Sequence, residues 1–231
     1  MSDSLDFRDG GESRDAGSSV AASSLRRFLE PKAKPRPGER CEFCGEPLGE
    51  LHSHVAHLET RGMACACRPC YLLFTTRGAA GGKYVAIPDR YLAARDLGFT
   101  DAQWDALQIP VGIAFLFQNS AQGRTVAFYP SPAGATESLL PLDTWSELVQ
   151  QSPLLATLEP DVEALLARKT HDGVAECYVV PIDACYELVG RMRRVWRGFD
   201  GGEDAWAAID AFFAEVRERC GEPAEHTESA T

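Results

Sequence analysis

Cysteine and histidine are concentrated in one short segment of the 231-residue chain. Five of the eight cysteines and three of the five histidines fall within thirty consecutive residues. Two residues separate Cys41 from Cys44, two separate Cys67 from Cys70, and 22 residues lie between the pairs. Each pair can direct two thiolates at one cation from a tight turn, where Gly45 supplies a positive φ. The spacing predicts a metal site with Cys41, Cys44, Cys67 and Cys70 as its ligands.

Three further residues of this segment are alternative ligands. Cys65 stands two residues before Cys67 and could replace it as the third ligand. His52 and His54 share one face of a predicted strand, from which either could replace a thiolate or hydrogen-bond to a ligand. His57 points to the other face. Ligation by four cysteines ranks above ligation by three cysteines and one histidine.

Zinc is the predicted metal. A structural Zn²⁺ held by four thiolates stabilises modules of about 35 residues, whose own apolar core is small. The alternative is iron, either as one ion in four thiolates or as an iron–sulfur cluster. A thiol redox switch built on Cys65 is a further alternative. A catalytic zinc is disfavoured because a full thiolate set leaves no open coordination position.

Charge and composition exclude several classes of function. The chain has 23 Lys and Arg against 34 Asp and Glu, a formal net charge of −11, and no basic patch for nucleic acid. No stretch approaches the roughly 18 apolar residues of a membrane-spanning helix, and the acidic first residues lack a signal-peptide core. We therefore expect a cytoplasmic protein without nucleic-acid partners or membrane insertion. Residues 78–84 lack the spacing and the Ser or Thr of a P-loop.

The elements that must position the cysteines indicate an α+β fold. Between the cysteine pairs, residues 51–65 predict a short hairpin and hence a zinc-ribbon-like module. Strand-like segments further along predict an antiparallel sheet packed with helices. Turn residues at 119–123 and 171–173 join two pairs of these segments as hairpins. The predicted strands are residues 84–87, 111–117, 125–129, 162–170 and 175–182.

Four helices are predicted after the module. Thr100 and Gln103 form a capping box at the first, and Asp183 is the predicted cap of the third. The other three helices cover residues 142–151, 183–196 and 202–220. Cys177 and Cys185 are interpreted as buried small apolar groups. Helical spacing predicts core positions in the last helix at Trp206, Ile209, Phe212, Phe213 and Val216.

These elements divide the chain into four predicted regions. Residues 1–39, rich in Ser, Gly, Asp, Arg and Pro, form a disordered leader. The metal module covers residues 40–76 and an α+β domain covers residues 83–220. Residues 221–231 form a flexible tail.

The sequence names no catalytic constellation. It contains neither a G-x-S-x-G nucleophile elbow nor an H-E-x-x-H zinc motif. We therefore expect a non-enzymatic protein. An enzyme using a cleft between the sheet and the terminal helices is an alternative for which the sequence supplies no nucleophile or base.

Several stretches together resemble a known protein family. They are CEFCGEPL, HSHVAHLETR, CACRPCYLLF, FTDAQWDALQIPVGIAFLFQNS, VAFYPSPAGATESLLPLD, VPIDACYELVG and WRGFDGG. The chain resembles an uncharacterised bacterial family whose genes lie in nickel-iron hydrogenase clusters, over roughly residues 39–219. The resemblance implies association with a hydrogenase and supplies no catalytic residues. The family's cysteine and histidine positions are complete in this sequence.

Two functions are therefore expected from these observations. The first is a metal-binding accessory protein that recognises a protein partner, either a hydrogenase subunit or a maturation factor. Residues around the cysteines are its candidate contacts, or else the small core of the module: Phe43, Leu48, Tyr71 and Phe74. The alternative is an iron–thiolate or iron–sulfur protein that passes electrons for the hydrogenase.

Overall fold

A computed structural model describes residues 39–107, 109–138, 143–170, 175–198 and 201–221. These residues form two antiparallel sheets and five α-helices, so the predicted α+β class is confirmed. Residues 1–38 of the predicted leader, residues 222–231 of the predicted tail and the predicted turn at 171–173 lie outside the described residues.

The smaller sheet carries the cysteine-rich segment. Its strands are β1 (Ser53–His57), β2 (Gly62–Ala66) and β3 (Tyr84–Ala86), in the order β2-β1-β3 with antiparallel pairing. The hairpin predicted between the cysteine pairs is therefore confirmed. Helix α1 (Arg68–Thr75) follows β2 directly, and Pro at its start suits the first helical turn. The Gly-rich segment forms a short 3₁₀ turn at Ala79–Gly82.

The larger sheet has six strands in the order β4-β9-β8-β5-β6-β7. Every pairing is antiparallel, and both predicted hairpin pairs, β5 with β6 and β8 with β9, are confirmed. The sequence did not indicate β4 or β7, which are the short edge strands. The six strands are β4 (Leu92–Ala93), β5 (Ile113–Asn119), β6 (Arg124–Ser131), β7 (Gly134–Glu137), β8 (Glu163–Lys169) and β9 (Ala175–Pro181).

Four helices accompany this sheet: α2 (Asp101–Ala106), α3 (Asp143–Gln151), α4 (Ile182–Val195) and α5 (Gly202–Arg219). The capping box is confirmed, since Thr100 Oγ1 accepts from Gln103 N at 3.2 Å and Gln103 Oε1 accepts from Thr100 N at 3.0 Å. The predicted Asp183 cap is wrong. Helix α4 begins one residue earlier, Pro181 occupies the cap position without a side-chain bond, and Asp183 lies in the first turn.

Both faces of the larger sheet are covered, because successive side chains along a strand point to opposite faces. Phe115, Leu166 and Val180 lie in a core cluster with side chains of α4 and α5. Their neighbours on the opposite face cluster with Trp104 of α2 and Leu148 of α3. The smaller sheet joins the first cluster, to which it and the residue after β3 contribute Ala56 and Ile87.

Helix α5 departs from its predicted core pattern at one residue. Ile209, Phe212, Phe213 and Val216 are buried as predicted. Trp206, however, is 41% exposed, so the prediction that it belongs to the core is wrong. The interpretation of Cys177 and Cys185 as buried apolar groups is confirmed, because they are 5% and 0% exposed. Burial also raises the pKa of Cys177 to about 12 and that of Cys185 well above its usual range.

A buried ion pair fixes the connection between the two sheets. Arg90 lies between β3 and β4, and its guanidinium donates to both carboxylate oxygens of Glu163 at the start of β8. Glu163 has a fully buried side chain, and its carboxylate also accepts from the backbone N–H of Glu159 at 2.9 Å. Arg90 further donates to the carbonyl of Thr157 at 3.0 Å. The carboxylate is therefore compensated from several directions.

Candidate metal centre

The first cysteine pair lies in a tight hairpin closed by backbone bonds. The N–H of Cys41 donates to the carbonyl of Glu46, and the N–H of Gly45 donates to the carbonyl of Cys41, both at 2.8 Å. Gly45 has a φ of 80°, the left-handed conformation that the turn requires and that glycine adopts without steric cost. Arg40 Nη1 donates to the carbonyl of Gly45 at 2.9 Å and braces the turn. The hairpin thus brings Cys41 and Cys44 to one side.

The second cysteine pair opens helix α1. Cys67 occupies the N-cap position with an extended backbone, and Cys70 lies in the first helical turn. A helix N-terminus presents unpaired N–H groups and a partial positive charge, which favour thiolates over thiols. The short β2 strand, the cap and the first turn therefore deliver both sulfurs to one place.

The structure brings the four predicted ligands together. Their Sγ atoms all lie within 4.8 Å of one another, and Cys44 Sγ is 3.6 Å from Cys67 Sγ. That separation is too long for a disulfide, whose S–S bond is about 2.05 Å. A tetrahedral ion with metal–sulfur bonds of about 2.3 Å places its sulfurs about 3.8 Å apart. The donor set and its spacing therefore fit one tetrahedral thiolate-bound ion.

Backbone donors already stabilise negative charge in this group. Burial raises the pKa of Cys41, but hydrogen bonds from the backbone of Cys67, Cys44 and Phe43 outweigh it and lower the pKa to about 6. The pKa of Cys70 is raised, by burial and by its hydrogen bonds to neighbouring cysteine sulfurs. A second negative charge beside the first is unfavourable in the absence of a cation. A bound dication would reverse that penalty.

An aromatic cluster connects the elements that carry the four cysteines. The rings of Phe43 and Phe74 stack with centroids 4.3 Å apart, and the ring of Tyr84 meets both edge-on at 5.2 and 5.6 Å. Phe43 lies between the first two cysteines, Phe74 in α1 and Tyr84 in β3. These rings therefore join the turn of the first cysteine pair to α1 and to the smaller sheet. Phe43 and Phe74 thus serve as the module's small core, one of the two roles expected for them.

The alternative ligands form a second group of their own. One ligand atom from each of His52, His54 and Cys65 lies within 4.8 Å of the other two. The structure groups Cys67, and not Cys65, with the other three cysteines. His57 faces away and meets the ring of Tyr84 at 4.8 Å, as the alternation along β1 predicts.

An aspartate that the sequence did not connect with this segment completes the second group. Asp183 Oδ2 lies 2.7 Å from His54 Nδ1, although 129 residues separate them. Hydrogen bonding to Asp183 raises the pKa of His54, against the effect of burial. The sequence predicted only a helix-capping role for Asp183. Its contact with His54 is apparent only in the folded structure, where α4 packs beside β1.

The segment between β1 and β2 borders a cavity of about 210 Å³. His57, Met63, Phe117, Phe128 and Tyr186 are among its lining residues. Two of its polar lining residues, Asn119 and Asp161, are engaged in the adjoining turn, where each accepts a backbone N–H at 2.9 Å. The cavity, which Arg61 also lines, lies beside the small sheet, and its lining includes none of the predicted ligands.

Comparison with known protein families assigns the chain to one of them. Residues 40–220 match the model of a family of unknown function, DUF5947. The chain belongs to this family. Neither the curated proteins nor the solved structures that were compared contain a match. The matched range includes both groups of candidate ligands and nearly all of the described fold.

Within the part of the chain that the structure describes, none of the helices has the length and apolarity to cross a bilayer.

Proposed function

We propose that the protein is a non-enzymatic accessory protein whose cysteine cluster holds a structural Zn²⁺ in a zinc-ribbon-like module. The observation that carries the proposal is the convergence of Cys41, Cys44, Cys67 and Cys70, whose Sγ atoms all lie within 4.8 Å of one another. Four thiolates saturate the preferred coordination of zinc and leave no position for a substrate. The metal then serves the fold: it joins the first hairpin to α1 and presents a rigid surface.

Exposed leucines beside the cluster support recognition of a protein partner. Leu72 and Leu73 on α1 are 50% and 64% exposed, and α1 has no buried residue. Leu51, in the loop before β1, is 92% exposed. Leu72 and Leu73 are adjacent on α1, and neighbouring large apolar side chains that are exposed together are typical of protein interfaces. The resemblance to proteins encoded with nickel-iron hydrogenases suggests a hydrogenase subunit or maturation factor as the partner, with both proteins in the cytoplasm.

Metal analysis of the full chain tests the identity of the ion. We expect anaerobically purified protein to contain zinc at the four-cysteine site and to be colourless, because d¹⁰ zinc has no visible absorption. A preparation that binds no metal, with four reactive thiols at these positions, would overturn the proposal.

A pull-down from native cell extract tests recognition. We expect wild-type protein to retain a hydrogenase subunit or maturation factor, and the double variant Leu72→Glu/Leu73→Glu to lose it. Trp206→Glu is the matched control, because Trp206 is a comparably exposed apolar residue on another helix. Equal recovery with both variants would show that α1 is not the contact surface.

Iron is the second candidate for the cluster. Cys44 is exposed, so an ion held by these thiolates would lie close to the surface, where electrons transfer readily to a partner. Four thiolates bind iron at a similar distance, as one ion or as a cluster. The protein would then be an electron carrier for the hydrogenase. Visible thiolate-to-iron absorption that bleaches on reduction would establish this function and exclude the zinc proposal.

A further inference from the structure

Strand register brings the second group of ligands together. In the antiparallel β1–β2 pair, His54 lies directly opposite Cys65. His52 precedes His54 by two residues and shares its face, because side chains alternate along an extended strand. Their rings are 4.6 Å apart between centroids, and one ligand atom of each of the three residues lies within 4.8 Å of the others. The hairpin itself therefore creates a site separate from the four cysteines.

Hydrogen bonds occupy one nitrogen of each ring and leave the other available for a metal. His52 Nδ1 lies 2.9 Å from the carbonyl of Gly49, and His54 Nδ1 lies 2.7 Å from the carboxylate of Asp183. A carbonyl and a carboxylate only accept, so both Nδ1 atoms carry the proton. In the neutral ring, which is the form that binds a metal, each Nε2 then keeps its lone pair. Metal-binding histidines show this same arrangement, in which a carbonyl or carboxylate orients the ring.

One of these lone pairs has no partner. The side chain of His52 is only 7% exposed, and its Nε2 atom is buried without a hydrogen bond. The carboxylate oxygen Glu39 Oε2 lies 3.4 Å away; it pairs with a protonated ring but, as an acceptor, offers no proton to a neutral one. Buried polar atoms are nearly always satisfied, and an orphan one needs an explanation. A cation beside Nε2 provides it.

We propose that His52, His54 and Cys65 form a second metal site, which binds a divalent transition metal of the zinc class through two imidazoles and one thiolate. Tetrahedral bonds of about 2.0–2.3 Å need ligand atoms about 3.3–3.8 Å apart, so shortening the separations by at most about 1.5 Å closes the site. Nearby carboxylates of Glu39 and Asp183 add favourable negative charge. Three protein ligands leave a fourth position for water or a small exogenous ligand, unlike the four-thiolate site.

Metal stoichiometry and cobalt spectroscopy of the full chain test the second site. Protein stripped of metal under reducing, anaerobic conditions is titrated with Co²⁺, whose thiolate charge-transfer absorption reports how many sulfurs bind each ion. We expect two equivalents per chain, one with strong four-thiolate absorption and one with the weaker absorption of a single thiolate. A wild-type chain that binds only one equivalent would overturn the second site.

Variants separate the two sites. His54→Ala and Cys65→Ser should each reduce binding from two equivalents to one and leave the four-thiolate spectrum intact. His57→Ala is the control, because His57 lies on the opposite face, and it should retain two equivalents. Cys44→Ser should instead abolish the four-thiolate spectrum and retain the single-thiolate one at weaker affinity, because Glu42 connects that turn to Cys65. Failure at either site is therefore distinguishable. Retention of two equivalents by Cys65→Ser would refute the assignment. If a variant fails to fold, the wild-type count still decides.

Discussion

Removing Arg90 should destabilise the fold strongly, because it leaves the carboxylate of Glu163 buried and uncompensated. In the structure the guanidinium donates to both carboxylate oxygens, and the Glu163 side chain is fully buried. Breaking one partner of a buried pair costs about 3–5 kcal/mol. Arg90 is itself 34% exposed, so water screens part of the interaction and we expect about 3 kcal/mol for Arg90→Ala.

Chemical unfolding at neutral pH, followed by circular dichroism with metal present, measures this cost. An exposed pair provides the matched control: Arg124 Nη2 lies 2.7 Å from Glu137, but Arg124 is 51% exposed. Arg124→Ala should therefore cost only about 0–1 kcal/mol. A shift of 3 kcal/mol corresponds to roughly 6–12 °C in melting temperature for a chain of this size.

A second variant shows whether the cost arises from the orphaned charge. Replacing both partners, as in Arg90→Met/Glu163→Leu, removes the uncompensated carboxylate and should restore much of the stability lost in Arg90→Ala. If Arg90→Ala costs no more than Arg124→Ala, the carboxylate is hydrated or protonated without penalty. The electrostatic reasoning would then be wrong.

Three further outcomes follow from the same structure. Cys44→Ser should weaken metal binding at the four-cysteine site roughly 100-fold, as measured by chelator competition. The reason is that one of four ligands contributes about 3 kcal/mol of a binding free energy of about 10–16 kcal/mol. An unchanged affinity would exclude Cys44 as a ligand. Phe74→Ala should lower the free energy of unfolding by about 2 kcal/mol, about half the cost at a fully buried phenylalanine; a negligible change would contradict the small core. The hydrogen bond from Arg191 holds the pKa of Glu215 below its ordinary 4.5, so this stabilisation is present above pH 4.5 and is lost as pH falls through the lower folded value. Arg191→Ala should flatten that acid limb in unfolding measured against pH, and an unchanged limb would refute the assignment.

Local patterns predicted much of the fold. The capping box at Thr100, the hairpins and the α+β class all depend on residues near one another in sequence, and all are present. The two missed strands, β4 and β7, are short and lie at the sheet edges, where partners elsewhere in the chain decide the pairing. Trp206 has the same azimuth on α5 as the buried Phe213, two turns away. Ala205 and Ile209 on either side of Trp206 are buried, so the helix is still packed there. Helical spacing identifies a face but does not say which positions at the edge of that face are covered.

In the candidate sites, too, local spacing predicts some features and only the folded structure shows the others. Spacing suffices to select the two CxxC pairs, because each pair acts within its own turn. Spacing cannot choose between Cys65 and Cys67 as a ligand, because they stand two residues apart and would share one face of an extended strand. The end of β2 at Ala66 separates them: Cys65 stays in register opposite His54, and Cys67 turns away to cap α1. The contact between His54 and Asp183 depends on tertiary packing across 129 residues.

Glu42 couples the two groups of ligands. It lies between the first two cysteines, its backbone N–H donates to the carbonyl of Cys65 at 2.9 Å, and its carboxylate accepts the N–H of Cys65 at 2.8 Å. Any change in the turn that carries Cys41 and Cys44 is therefore transmitted to the backbone of Cys65. A metal in the four-cysteine group would hold that turn, and through Glu42 it would hold the thiol that faces His54. A metal bound by the four cysteines would thus preorganise the proposed three-ligand site, whose open position would take an exchangeable ligand.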